Sequence, residues 1–157
     1  MHNIRLADPL DPHTINVKKL SSINKKSIQD HKDLAEAEFY GGLYYEPSIG
    51  PYLPTMMLRK ALIEGAKVRK LGPKFEIDIE VEDPIEVDGY ALDYKGPRVD
   101  TALWNNTKPV FYKRAVVSVG MNSSIVRTRP MFPSGWSCTF KITSAEDAVT
   151  DKEIQPT

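Results

Sequence analysis

The sequence predicts an α+β domain in which helices pack on antiparallel β structure, and three stretches carry that prediction. Residues 56–71 place Leu58, Ala61, Leu62 and Gly65 at helical spacing, with basic residues mostly off that face. Residues 75–82 alternate Phe75, Ile77, Ile79 and Val81 with Glu76, Asp78, Glu80 and Glu82, the period of a half-buried strand with an acidic outer face. Residues 115–119 and 124–129 flank Gly120-Met121-Asn122-Ser123 and read as a hairpin. In the favoured version the core is ferredoxin-like or RNA-recognition-like, its sheet packed against the central helix and the N-terminal helices covering another edge.

Each element follows from local chemistry. A short strand is expected at 3–7, ahead of Asp8-Pro9-Leu10-Asp11-Pro12, where side-chain oxygens bond nearby amides and prolines turn the chain. A helix carrying Ile15, Val17 and Leu20 follows and breaks at Asn24-Lys25-Lys26-Ser27. A second helix is expected from 30 to 40, with Leu34, Ala37 and Phe39 among acids and Gly41-Gly42 as its stop. Leu43-Tyr44-Tyr45 reads as a short strand. Pro51 and Pro54 then hold the chain extended, Thr55 serves as N-cap of the central helix, and Gly72-Pro73 ends it.

Beyond the acidic strand, Asp83-Pro84 interrupts the alternation, which resumes over 85–88. Residues 91–108 are polar and irregular, apart from a short turn capped by Asp100 that carries Leu103 and Trp104. After the hairpin, Pro130 and Pro133 bracket a segment outside the ladder. Trp136, Cys138, Phe140 and Ile142 then alternate with polar residues as a final strand, which makes the aromatic pair Trp136 and Phe140 core. Residues 1–143 form the single domain, and 144–157 an acidic, flexible tail.

Composition narrows the function classes. Apolar residues at 41% and charged residues at 27% describe a soluble globular chain, and no apolar run reaches the length of a membrane span or signal-peptide core. The single cysteine, Cys138, has no internal disulfide partner and is expected to be a small buried hydrophobe. No nucleophile-base pair, metal cluster or phosphate-binding glycine loop is present. Gly41, Gly42, Gly50 and Gly65 lack the strand-glycine-helix order, and His2, His13 and His31 are scattered. The expectation is a protein that is not an enzyme and needs no cofactor or metal. An enzymatic reading requires Asp8, Asp11 and His13 to converge in one pocket.

Net charge is zero, which argues against a general polyanion binder, so the distribution carries the information. Lysines 18, 19, 25, 26 and 32 and a cluster over 59–74 are basic, whereas acids gather at 76–93 and in the tail. The candidate nucleic-acid contacts are Arg59, Lys60, Lys67, Arg69 and Lys70 on or just beyond the central helix, and Tyr52 at its entry. Arg127 and Arg129 join them, spaced by two so that both share one strand face. Solvated faces, or pairing of the two arginines with the acids of 75–82, are the structural alternatives.

Residues 51–62, Pro-Tyr-Leu-Pro-Thr-Met-Met-Leu-Arg-Lys-Ala-Leu, are similar to the loop-helix element of RAMP-superfamily proteins of CRISPR effector complexes. That resemblance implies an RNA-recognition-like fold that binds guide RNA. Thr55 and Met56 stand where that family usually has glycine and serine, and Ala61 where glycine is common. Over Leu6 to Pro12, Glu38 to Tyr44 and Arg127 to Pro133, the chain also resembles small uncharacterised proteins of tailed phages and prophages. This implies a phage origin and the cytoplasm of a bacterial host. The combined expectation is a non-enzymatic factor that binds single-stranded RNA or DNA, or a host nucleoprotein complex, without a membrane. Homo-oligomers are compatible with it. The alternative is a protein-interaction module, either an inhibitor of a host defence complex or a virion component.

Overall fold

Five helices and three antiparallel strand groupings make up the described part of this computed structural model, residues 8–84, 87–104, 109–120 and 123–144, and the fold is α+β as expected. The chain divides into two compact units. One comprises Met1–Tyr45 and Lys95–Trp136, the other Glu46–Tyr94 and Ser137–Thr157. The four-stranded sheet of a ferredoxin-like or RNA-recognition-like core does not occur among the described residues; the groupings have three, two and two strands.

The first unit opens with the turn chemistry expected of Asp8 and Asp11. Asp8 Oδ1 accepts from the Leu10 amide at 2.9 Å, and Asp11 caps helix α1 (Pro12–Ser21) by accepting from the amides of His13 and Thr14. Helix α2 (Ile28–Gly42) starts two residues before the expected position because Ser27 is its cap. Ser27 Oγ accepts from the Asp30 amide, and Asp30 Oδ2 accepts from the Ser27 amide at 2.7 Å. Phe39 is fully buried, against Trp104 at 5.2 Å and Tyr112 at 6.1 Å between ring centroids. The short helix α5 (Asp100–Leu103) brings in Leu103 and Trp104, although Val99 rather than Asp100 takes the cap position.

Strands β5 (Tyr112–Ser118) and β6 (Ser124–Pro130) form the expected hairpin. Its ladder runs from Tyr112↔Pro130 to Ser118↔Ser124, so Pro130 lies inside the ladder rather than bounding a segment outside it. Helix α2 packs on β6.

In the second unit, β2 (Gly50–Leu53) lies between β1 (Tyr45–Glu46), where the chain passes from one unit to the other, and β4 (Tyr90–Ala91). Helix α3 (Thr55–Lys67) follows, but Thr55 does not cap it. Its buried hydroxyl instead meets Asp83 Oδ1 at 2.6 Å and Asp88 Oδ1 at 2.8 Å. One hydroxyl hydrogen serves one carboxylate at a time. The buried face of α3 is Thr55, Leu58, Ile63 and Ala66, whereas Ala61 and Gly65, expected to be covered, are exposed.

The helix also stops earlier than Gly72-Pro73. Lys70 takes φ +60°, its amide donates to Lys67 O, and the Leu71 amide donates back to Ala66 O, the two bonds that close a Schellman motif. Gly72-Pro73 then opens a further helix, α4 (Gly72–Asp78), with proline in its first turn. This overturns the expected strand over 75–82, which shrinks to β3 (Ile79–Val81). Leu71, Phe75 and Ile79 are four apart and therefore share a helical face. Phe75 and Ile79 join Ile63 and Ala66 in the core, with Leu71 packed against it, while Ile77 is left exposed.

The final strand is likewise shorter than expected. Only β7 (Ile142–Ser144) pairs with β3, and Ser137 makes an isolated bridge to Asp93. Trp136 is 44% exposed rather than core, Phe140 is half-buried against Tyr90, and Cys138 is half-buried, with burial pushing its thiol pKa up. Ser144, expected to begin the tail, belongs to β7. The strand expected at 3–7, the alternation at 85 and 86, and 145–157 lie outside the described residues.

Candidate nucleic-acid interface

The central helix uses its best cation internally. Arg59 donates from Nη2 to Glu76 O at 2.6 Å and from Nε to Ile79 O at 3.1 Å, which satisfies carbonyls at the C-terminal end of α4. A helix end leaves such carbonyls without intrahelical partners, and a guanidinium there also opposes the helix dipole. Lys67 pairs with Glu64 at 2.6 Å, both exposed, so Glu64 is held below the usual carboxylate range and Lys67 is raised. Lys60 and Arg69 are exposed, and Lys70 is exposed at the left-handed turn.

Tyr52 is half-buried on β2, paired with Ala91. Its ring lies over Gly89, where an added Cβ would collide with the ring and sit 2.6 Å from Leu53 O. The ring therefore packs within its own unit. These six residues belong to the second unit, and Arg127 and Arg129 to the first.

On the hairpin, the two arginines differ. Arg127 Nη1 donates to Glu38 Oε1 at 2.5 Å, and the Thr128 amide donates to Oε2 of the same carboxylate at 2.7 Å. Glu38 is 4% exposed at its side chain against 38% for Arg127, so this pair fastens β6 to α2. Arg129 is exposed and stands directly opposite Lys113 in the ladder. Adjacent Arg114, opposite Thr128, is exposed as well. No ion pair or side-chain hydrogen bond engages Lys113, Arg114 or Arg129 among the described residues.

The alternation of the ladder sorts these groups. Lys113, Arg129, Ala115 and Arg127 share one face of the ribbon, whereas Tyr112, Thr128, Arg114, Val116 and Val126 share the other. The Met131 amide donates to Phe111 O at 2.8 Å, which extends the pairing and puts half-buried Phe111 on the Lys113 face. Phe111 contacts Phe132 at 6.0 Å between centroids. At the base, Tyr112 and Thr128 are buried; farther out, Val116 is 71% exposed and Val126 50%.

Lys113 and Arg114 stand outside the two basic clusters and outside the expected contacts. A signal for them is present: from 101 to 145 the chain contains no aspartate or glutamate, while Lys108, Lys113, Arg114, Arg127, Arg129 and Lys141 all fall there. The zero net charge thus hides a segment of one sign.

Asp8 and Asp11 serve their turn and cap, and no group of three or more potential metal ligands occurs among the described residues. Among them, no helix is long and apolar enough to cross a membrane. No family model, curated protein or solved structure matches the chain.

Proposed function

We propose that the protein binds nucleic acid without catalysing a reaction on it, a single strand lying along the Lys113 and Arg129 face of the ribbon formed by β5 and β6. The observation that carries this reading is the cross-strand pairing of Lys113 with Arg129, with no counter-ion among the described residues. Like charges directly opposite in a sheet are destabilising, and a phosphate bridging them removes that repulsion. Phe111 on the same face offers a ring beside the cations, the combination that holds single strands without sequence preference.

Of the residues first considered, Arg129 carries most weight. Arg127, although on the same face, is held by Glu38, and Arg59 has a structural partner in α4. Lys60, Arg69 and Lys70 are secondary candidates. The resemblance to RAMP-superfamily and phage proteins makes RNA, DNA or a host nucleoprotein complex the natural partner, inside a bacterial cell.

The test is a fluorescence-anisotropy titration with labelled single-stranded RNA and DNA between about 50 and about 200 mM salt. Affinity should fall steeply with salt. Replacing Lys113 and Arg129 together by alanine should flatten the logarithmic slope by roughly 1.4, at about 0.7 per phosphate contact. Absence of binding at the lowest salt, or a slope unchanged in the double variant, overturns the assignment. The second reading is a protein-interaction module, a defence inhibitor or virion component, favoured by the exposed valines of the ribbon. A neutral partner protein that binds the double alanine variant as well as the parent would favour it.

A further inference from the structure

We infer that the open edge of β5 is a pairing surface for a second copy of this chain, so that two ribbons join into one four-stranded antiparallel sheet when they meet on a nucleic-acid strand. This rests on the nucleic-acid reading for what brings the copies together.

The backbone identifies the open edge. The Thr128 amide donates to Glu38, so it points away from β5 and its pair with Arg114 is not hydrogen-bonded. By the same alternation, the Val119 amide donates inward to Ser123 O at 2.7 Å. The amides and carbonyls of Arg114, Val116 and Ser118 therefore turn outward. Among the described residues β5 pairs with β6 alone, and all three residues are exposed. Helix α2 blunts the β6 side by taking the Thr128 amide, but nothing described blunts the β5 side. An exposed β-branched edge of this kind is a template for another strand.

Charge selects how a second copy fits. Stacking two ribbons face to face sets the Lys113 and Arg129 faces, or the Arg114 faces, against cations of the same acid-free segment. Edge-to-edge pairing about a two-fold axis at Val116 avoids this. It sets Val116 opposite the second copy's Val116, Arg114 opposite its Ser118, and Lys113 opposite its Val119. Each cation meets a neutral side chain, and the outward groups of Arg114, Val116 and Ser118 all find partners. A two-fold axis normal to the sheet also keeps both Lys113 and Arg129 faces on one side, which doubles the cationic platform.

Size decides when pairing happens. The β5 edge is seven residues long, against about 20–30 residues a side in a standard stable interface. The free protein is therefore a monomer at ordinary concentrations, and pairing appears as cooperative binding along a strand.

The experiment compares single-stranded oligonucleotides of about 8 and about 40 nucleotides, short enough for one copy and long enough for several. The parent should bind the longer one cooperatively. Val116→Pro removes an outward amide that the β5 and β6 ladder does not use, and Val116→Gln keeps the backbone but removes the apolar contact. With the fold checked by circular dichroism, both variants should bind the short oligonucleotide within about twofold of the parent. Val116→Pro should lose cooperativity and roughly tenfold in apparent affinity on the long one.

Non-cooperative binding by the parent, or cooperativity retained in Val116→Pro, overturns edge pairing and leaves the nucleic-acid reading standing. If the parent binds neither oligonucleotide, that reading fails instead. Sedimentation at high protein concentration then decides: a dimer abolished by Val116→Pro supports edge pairing, and a monomer overturns it. Pairing that requires a different added protein assigns the edge to that partner and also overturns self-pairing.

Discussion

Glu38→Ala should loosen the β5 and β6 ribbon from α2 more than any single surface change in that unit. The carboxylate is almost fully buried and makes two charge-assisted contacts, one to the partly exposed Arg127 guanidinium and one to the Thr128 amide. Removing it leaves a buried amide unpaired, at about 1–3 kcal/mol, and takes the partner from a cation. Breaking a buried ion pair from one side costs about 3–5 kcal/mol. Because Arg127 is 38% exposed and can regain water, the expected loss is at the lower end, about 3 kcal/mol. Arg127→Met should cost at least as much, since it strands the buried carboxylate itself. Glu38→Gln keeps an acceptor for Thr128 and should cost about 1–2 kcal/mol.

Both tryptophans, Trp104 and Trp136, lie in this unit, so urea unfolding followed by tryptophan fluorescence reports on it directly. The double variant Glu38→Gln with Arg127→Met should recover part of the sum, a coupling of about 0.5–3 kcal/mol. A Glu38→Ala midpoint shift worth less than about 0.5 kcal/mol would refute the reasoning, because that is the range of an uninvolved surface position.

Three further outcomes follow from local geometry. Lys70→Gly should stabilise the second unit by about 0.5–1 kcal/mol, since Lys70 holds a left-handed conformation that glycine adopts freely; thermal melting checks it. Gly89→Ala should destabilise by about 1–3 kcal/mol, as the new methyl meets the Tyr52 ring and Leu53 O, and an unchanged melting temperature would contradict the packing. The Ser27 side chain, then its backbone amide, holds the Asp30 carboxyl below its usual range. The capping box therefore contributes fully above the unfolded carboxylate value, and its contribution is lost as pH falls through the lower folded value. In an NMR titration, Ser27→Ala should move Asp30 back up.

Local chemistry alone determined a good part of this protein. Asp11 and Ser27 cap the first two helices through amides two or three residues away, and the period-two residues around Gly120 form a hairpin because turn and strands are neighbours. Elsewhere two periods fitted one stretch. Phe75, Ile77 and Ile79 alternate like a strand, yet Leu71, Phe75 and Ile79 also repeat like a helix. The core of Ile63 and Ala66 settles the matter by accepting Phe75 and Ile79 and leaving Ile77 in solvent. Trp136 and Cys138 alternate equally well but find no ladder beyond one bridge at Ser137.

The interface was least legible, for a physical reason. Whether an arginine is available depends on what else reaches it. Glu38 meets Arg127 across 89 positions of sequence, and Arg59 finds carbonyls 17 and 20 residues away, on α4 and at the first residue of β3. Residue identity and spacing determined where the cations stand along the chain. Tertiary packing decided which are held by the protein itself and which, like Lys113 and Arg129, are left facing solvent.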